Sequence, residues 1–378
     1  MTVSGERVVP LSESEILARA MEMLKDMLPG DWDLKLDELP DGEGDPRSDA
    51  ILSITVANHH AMRTMVEVRR AFAPRDVENL LGGKKALLQR IQGQVNLMVL
   101  APALSERSRT LLAQAGYNFL DLAGNVRITG SFPPIFVERI AGAKRAQKAT
   151  SGLRGVKAGR LVRLLTDVLP PYGIVELADA AGVTRGYVSK VAELLERERI
   201  IERTSRGGIA QVDWRELLRL RSQTYAVLTA NELSKYVCAN GPAFALECAR
   251  DIRLKGAAYT GSFAAANLAP VAASTVLMLY VTRDEQALID HARLLPADEG
   301  ANVFLLRPYD SVVLERAYNP GPLKQSVPAV ACAQAALDCL AGPGRMPAEG
   351  EALMDWMAAN EERWRLPSLG AAVGPTPG

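Results

Sequence analysis

The chain is poor in the residues that build metal centres and disulfide frameworks. Its 378 residues include four cysteines (Cys238, Cys248, Cys332, Cys339), none in a CxxC pair, and three histidines, of which His59 and His60 are neighbours. That scarcity excludes the usual zinc-ligand spacings, and no metal or other cofactor is expected. Sparse cysteine without a leader-like opening segment points to a reducing cytoplasm. No apolar run reaches the roughly 18 residues that a membrane span needs, so no membrane partner is expected. Nothing repeats at a fixed period. The one biased tract is the Gly/Pro/Ala-rich end, and residues 363–378 are expected to be a disordered tail.

What is present suits packed cores: 48% hydrophobic and 23% charged residues, the balance of an ordinary soluble protein. Formal net charge is zero, so the whole chain does not advertise a polyanionic partner. Its distribution does. Residues 1–60 carry thirteen acids against five bases. Residues 139–163 carry eight bases (Arg139, Lys144, Arg145, Lys148, Arg154, Lys157, Arg160, Arg163) and no acid, a local basic footprint hidden in a zero sum.

Pattern divides the chain into an α/β (α+β) multidomain protein. Residues 10–142 order themselves as helix, strands, helix, strand, helix, strand. Leu11–Leu28 is apolar at helical spacing behind Ser12 or Ser14 as N-cap, and Ala50–Val56 and Thr64–Phe72 alternate as strands. Pro74–Ile91 and Ser105–Gly116 read as helices, and Asn96–Ala101, Tyr117–Asp121 and Asn125–Thr129 as strands. Asp121, Gly124 and Asn125 read as a tight polar turn. Residues 143–222 are basic and mostly helical. Residues 223–362 read as a second α/β domain, with helices at Glu232–Val237, Phe244–Arg250, Asp284–Leu294, Ala329–Leu340 and Glu349–Asn360 and strands at Thr275–Val281 and Ala301–Leu306.

The most specific signal lies at 157–213. Lys157–Leu169 is amphipathic and stopped by Pro170-Pro171. In the run from Ile174 to Val191, Ala178 is small where two helices must approach, and Gly182 stands where a left-handed turn is needed. Thr184 can cap the second helix, and Val183, Val188 and Val191 can pin it to the first. Ile200–Val212 then reads as two short strands around Gly207-Gly208. This set predicts a winged helix-turn-helix binding double-stranded DNA. Thr184, Arg185, Gly186, Tyr187, Ser189 and Lys190 are expected on the groove-facing helix, and Arg203 and Arg206 on the wing. Lys157, Arg160 and the basic stretch before them are expected on phosphates.

Two further resemblances bear on function. The element order of residues 12–129 resembles the restriction-endonuclease-like fold, which holds a divalent metal between an Asp and an acid-x-Lys pair. Asp49 and Glu67 stand where that pattern wants acids, but Arg69 replaces the lysine, and arginine cannot serve as a titrating base. The domain is therefore expected to be inactive, and no catalytic residue is assigned; Asp49, Glu67 and Arg69 remain the candidates if the chain is a nuclease. Tyr259–Ala265, with Gly261 and Ser262, resembles the opening of a nucleotidyltransferase-like domain, yet residues 272–278 lack the acids that such an enzyme needs for its metals.

The Gly182-centred unit, Tyr117–Val126, Tyr259–Ala265 and Gly300–Pro308 together resemble the AbiEi-type regulators, antitoxins of type IV systems and their stand-alone relatives. That resemblance implies a transcriptional regulator of the cytoplasm and nucleoid that binds an operator. A winged helix commonly binds two half-sites through two-fold symmetry, so a homodimer is expected, with flanking α/β domains that take an unidentified ligand or protein effector. Metal-dependent cleavage by Asp49 and Glu67, and an antitoxin acting through a protein partner, stay open as alternatives.

Overall fold

The computed structural model describes residues 11–29, 32–38, 49–56, 60–77, 80, 95–131, 134–140, 153–320 and 327–373. Most of the helix expected at Pro74–Ile91 and the basic residues Lys144, Arg145 and Lys148 lie outside them. The chain is mixed α/β and divides into two compact units, residues 1–149 with 197–199, and residues 150–196 with 200–378. No helix among the described residues is long and apolar enough to cross a membrane.

Unit 1 is one seven-stranded sheet in simple order. Its strands are β1 (Trp32–Glu38), β2 (Asp49–Val56), β3 (His60–Val68), β4 (Val95–Ala101), β5 (Asn118–Asp121), β6 (Val126–Ser131) and β7 (Pro134–Arg139). β3, β4 and β5 run parallel and the remaining neighbours antiparallel. The two-residue period of a strand sorts its core. On β4, Met98 and Leu100 join one apolar cluster, which also takes Ile16, Ala20 and Leu24 of α1 (Glu13–Met27). Leu97, Val99 and Ala101 join the opposite cluster, with Leu112 of α2 (Glu106–Gln114). Ser12 caps α1 through a reciprocal pair with Glu15, and Ser105 caps α2 by accepting from the Ser108 N–H at 3.1 Å. The sequence reading missed β1 and β7.

Unit 2 opens with helices. α3 (Gly155–Asp167), α4 (Ile174–Ala181) and α5 (Arg185–Arg197) are followed by the antiparallel pair β8 (Ile201–Arg203) and β9 (Ile209–Val212), then α6 (Trp214–Ser222) and the short α7 (Val227–Ala230). A five-stranded sheet follows in the order β11-β12-β14-β10-β13. Its strands are β10 (Glu232–Val237), β11 (Ala257–Thr260), β12 (Leu277–Val281), β13 (Leu295–Pro296) and β14 (Val303–Arg307). β12 and β14 are parallel; the other pairs are antiparallel. Between these strands lie α8 (Pro242–Asp251), α9 (Gly261–Ala265) and α10 (Glu285–His291), and after them α11 (Cys332–Leu340), α12 (Met346–Ala359), α13 (Glu361–Trp364) and α14 (Leu369–Val373).

Three sequence expectations change here. Residues 232–237 are a strand, not a helix, because β14 and β13 pair with them on both sides. Residues 363–373, expected to be disordered, are docked: Leu366 bridges Val168 in parallel, and the buried Arg365 donates to the Val168 carbonyl at 2.8 Å. Finally, one apolar core runs through the break placed at 222, from Leu161 and Leu217 to Leu305 and Leu337. Ion pairs from Arg219 (α6) to Glu351 (α12) and from Arg215 to Asp355 reinforce that continuity.

Candidate functional site

The strongest site candidate is the α4–α5 corner and its hairpin. Glu176 accepts from the Gly173 N–H at 2.9 Å, which fixes the start of α4. Gly182 ends it at φ 61°, ψ 40°, while the Val183 N–H returns to the Ala178 carbonyl at 3.0 Å. A residue with a Cβ is strained in that left-handed turn, so glycine is what lets the chain reverse within two residues. Thr184 then caps α5, accepting from the Tyr187 N–H at 3.3 Å.

On α5, Val188, Val191, Ala192 and Leu195 are buried in the core, whereas Arg185, Gly186, Ser189, Lys190 and Glu193 are exposed. At 3.6 residues per turn the exposed set falls within an arc of roughly 140°, opposite the buried set. Arg185 and Lys190 have no carboxylate partner among the described residues. Glu193 sits toward the C-terminal end of the arc, away from the positive end of the helix dipole.

The hairpin is held locally. The Thr204 N–H donates to the Gly208 carbonyl and the Gly208 N–H to Thr204 Oγ1, each at 2.9 Å, and Tyr172 adds an antiparallel bridge to Ile209. Arg206 is exposed at its tip.

Several residues expected on this surface are engaged elsewhere. Arg203 is paired with Glu196 at 3.1 Å. Tyr187 is half-buried and packs on the core, and burial pushes its phenol pKa up. Arg160 grips Asp310 with both ends of its guanidinium, Nε to Oδ1 at 3.0 Å and Nη2 to Oδ2 at 2.7 Å, beside the Gly182 turn. Arg163, part of the basic stretch, is 1% exposed. It bonds Asp167, the Val312 and Glu315 carbonyls and Gln334 at 2.9–3.3 Å. Of the two residues expected on phosphates ahead of the corner, Lys157 is exposed.

In unit 1, the register sets Asp49 opposite Glu67 on neighbouring strands. Glu67 is 3% exposed and is ion-paired with Arg69. No group of three or more His, Cys, Asp or Glu side chains suited to a metal occurs among the described residues. Asp121, on the other hand, is a turn organiser. Fully buried, it accepts from the N–H groups of Leu104, Ala123 and Asn125 and from Asn125 Nδ2, at 2.8–3.0 Å.

A buried polar cluster in unit 2 escaped the sequence reading. Asp338 of α11, fully buried, accepts from Thr260 Oγ1 (2.6 Å), Tyr225 OH (2.8 Å), Gln334 Nε2 (2.8 Å) and Tyr280 OH (3.0 Å). Burial pushes its carboxyl pKa up, and the four donors offset only part of that. The cluster joins five side chains from four segments far apart in sequence. Ser262, at the first turn of the five-residue α9, is likewise occupied, donating to Glu349.

No family model and no curated protein matches the chain. A solved structure, "Structure of EndoMS in apo form", is similar over 31% of this chain and 48% of its own, at 18% identity and a TM-score of 0.22. The chain thus spans about half the length of that protein.

Proposed function

We propose that the protein is a sequence-specific, duplex-DNA-binding transcriptional regulator, and that α3–α6 with the β8–β9 hairpin form a winged helix-turn-helix. One observation carries the reading: α5 begins immediately after a left-handed glycine turn and leaves Arg185, Gly186, Ser189 and Lys190 exposed on one arc with its cations unpaired. A helix so presented enters a major groove with its N-terminal residues against base edges. Arg185 and Lys190 read bases, and Lys157 and Arg206 hold backbone phosphates. Gly186 and Ser189 allow close approach. In this reading the protein works in the cytoplasm at the nucleoid, as a homodimer on a two-fold operator, with unit 1 as a restriction-endonuclease-like support.

The test is selection of bound fragments from genomic DNA, followed by anisotropy titrations on the selected duplex. Arg185→Ala or Lys190→Ala should weaken binding by about 1–3 kcal/mol and relax base preference. Lys157→Ala and Arg206→Ala should weaken all sequences alike and lower the salt slope by about one unit each. Failure to bind any duplex at low ionic strength would refute the proposal. Cleavage of the bound duplex on adding magnesium or manganese, abolished by Asp49→Ala, would turn it into a DNA-targeted nuclease.

A further inference from the structure

We propose that unit 2 contains a binding site for a planar aromatic monocarboxylate, in the cavity lined by Trp356, Trp364, Tyr318, Arg316, Arg363 and Asp167. The cavity holds about 300 Å³, the small end of ligand pockets, which suits one or two fused rings. Three aromatic side chains line it, none of them fully buried, and flat indole and phenol faces favour a flat partner.

The charge on its wall decides the rest. Asp167 is 2% exposed and already takes both Arg163 and Arg316, so Arg316 is largely neutralised in place. Arg363 is different. It lies 5.5 Å over the Trp356 ring, is exposed, and has no carboxylate partner among the described residues. Cys332 adds no negative charge, because burial pushes its thiol up to about 11. The wall therefore carries one uncompensated guanidinium beside an aromatic face, with a buried carboxylate close by.

A cation is repelled by the unpartnered Arg363 guanidinium. A dianion meets Asp167 at short range. A single carboxylate on an aromatic ring satisfies both constraints, pairing with the Arg363 fork while its ring stacks on tryptophan. This inference does not depend on DNA binding.

Calorimetric titration of the full chain with 2-naphthoate, cyclohexanecarboxylate and inorganic phosphate tests it. The naphthoate should bind saturably. Arg363→Gln should weaken it about tenfold or more with an unchanged circular dichroism spectrum, and Arg363→Lys less, since lysine keeps the charge but loses the fork. Cyclohexanecarboxylate, which matches the charge but not the flat ring, should bind at least several-fold more weakly, and phosphate should give no saturable heat. No binding of naphthoate at millimolar concentration overturns the proposal. So does equal binding by Arg363→Gln, by cyclohexanecarboxylate or by phosphate.

Discussion

Replacing Arg163 by methionine should destabilise unit 2 severely without altering the salt dependence of the proposed duplex binding. Arg163 sits in the basic stretch that a sequence reader assigns to phosphate. Its side chain is nevertheless 1% exposed, and its guanidinium bonds Asp167 Oδ2 at 2.9 and 3.1 Å, the Val312 carbonyl at 3.0 Å and Gln334 Oε1 at 3.0 Å. Breaking a buried ion pair from one side costs about 3–5 kcal/mol, because the abandoned charge stays buried. Here Arg316 still holds Asp167, so the low end applies, about 3 kcal/mol. For a unit of this size that is a fall of about 6–12 °C in its melting temperature, read by scanning calorimetry. Arg316→Gln, which removes the more exposed partner, should cost less than Arg163→Met. Below the lowered transition, the salt slope of duplex binding in Arg163→Met should equal that of the parent. A melting point within about 2 °C of the parent would refute the structural role, and a slope lower by about one would show a phosphate contact after all.

Three further outcomes follow from local geometry. Folded Asp338 has a raised pKa, so its contribution to stability is full below the ordinary carboxylate range and is lost as pH rises through the raised value; Asp338→Asn should remove that decline from melting curves recorded between pH 5 and 9, and parallel curves would count against it. Gly182→Ala should cost about 1–2 kcal/mol in denaturant titrations because of its φ of 61°, with Gly182→Asn costing less; equal stability of all three would mean that the turn is not left-handed. Asp121→Ala leaves the Leu104 and Asn125 N–H groups without their acceptor in a buried turn, and should destabilise unit 1 by about 3–5 kcal/mol, seen as an earlier calorimetric transition.

The α4–α5 corner was legible because its determinants are local. Ala178, Gly182, Thr184, Val188 and Val191 lie within fourteen residues, and helix geometry converts their spacing directly into faces. The fate of the neighbouring arginines was not legible. Arg160 meets Asp310 and Arg163 meets Gln334 across about 150 and 170 residues, a distance over which sequence spacing says nothing. The same limit explains residues 232–237. Their side chains offer no decisive period, and only pairing with Val303–Arg307 makes them a strand. β1 was missed for a different reason: Trp32–Glu38 alternates apolar and polar residues, and the acidic neighbourhood masked that alternation. Asp338 shows the general case, since a buried carboxylate is recognised by donors that the fold collects from separate segments.

α3 connects the two proposals physically. Its last residue, Asp167, lines the cavity and holds Arg316, while the helix as a whole packs against both α4 and α6. In the proposed site a ligand carboxylate on Arg363 lies in the same cavity as Asp167, and α3, which ends at Asp167, packs on the helix that α5 follows, so α3 is the route by which the two sites would be coupled. Such coupling is a free energy shared by both sites, so it must act equally in either direction. If 2-naphthoate changes the affinity for the selected duplex by some factor, the duplex must change the affinity for naphthoate by that same factor. Measuring both, in the parent and in Arg316→Gln, separates transmission through Asp167 from a ligand that simply binds DNA or the DNA-facing surface. In the first case the factor collapses toward one in the variant while each ligand still binds alone. In the second it survives, and the helix α3 route is wrong.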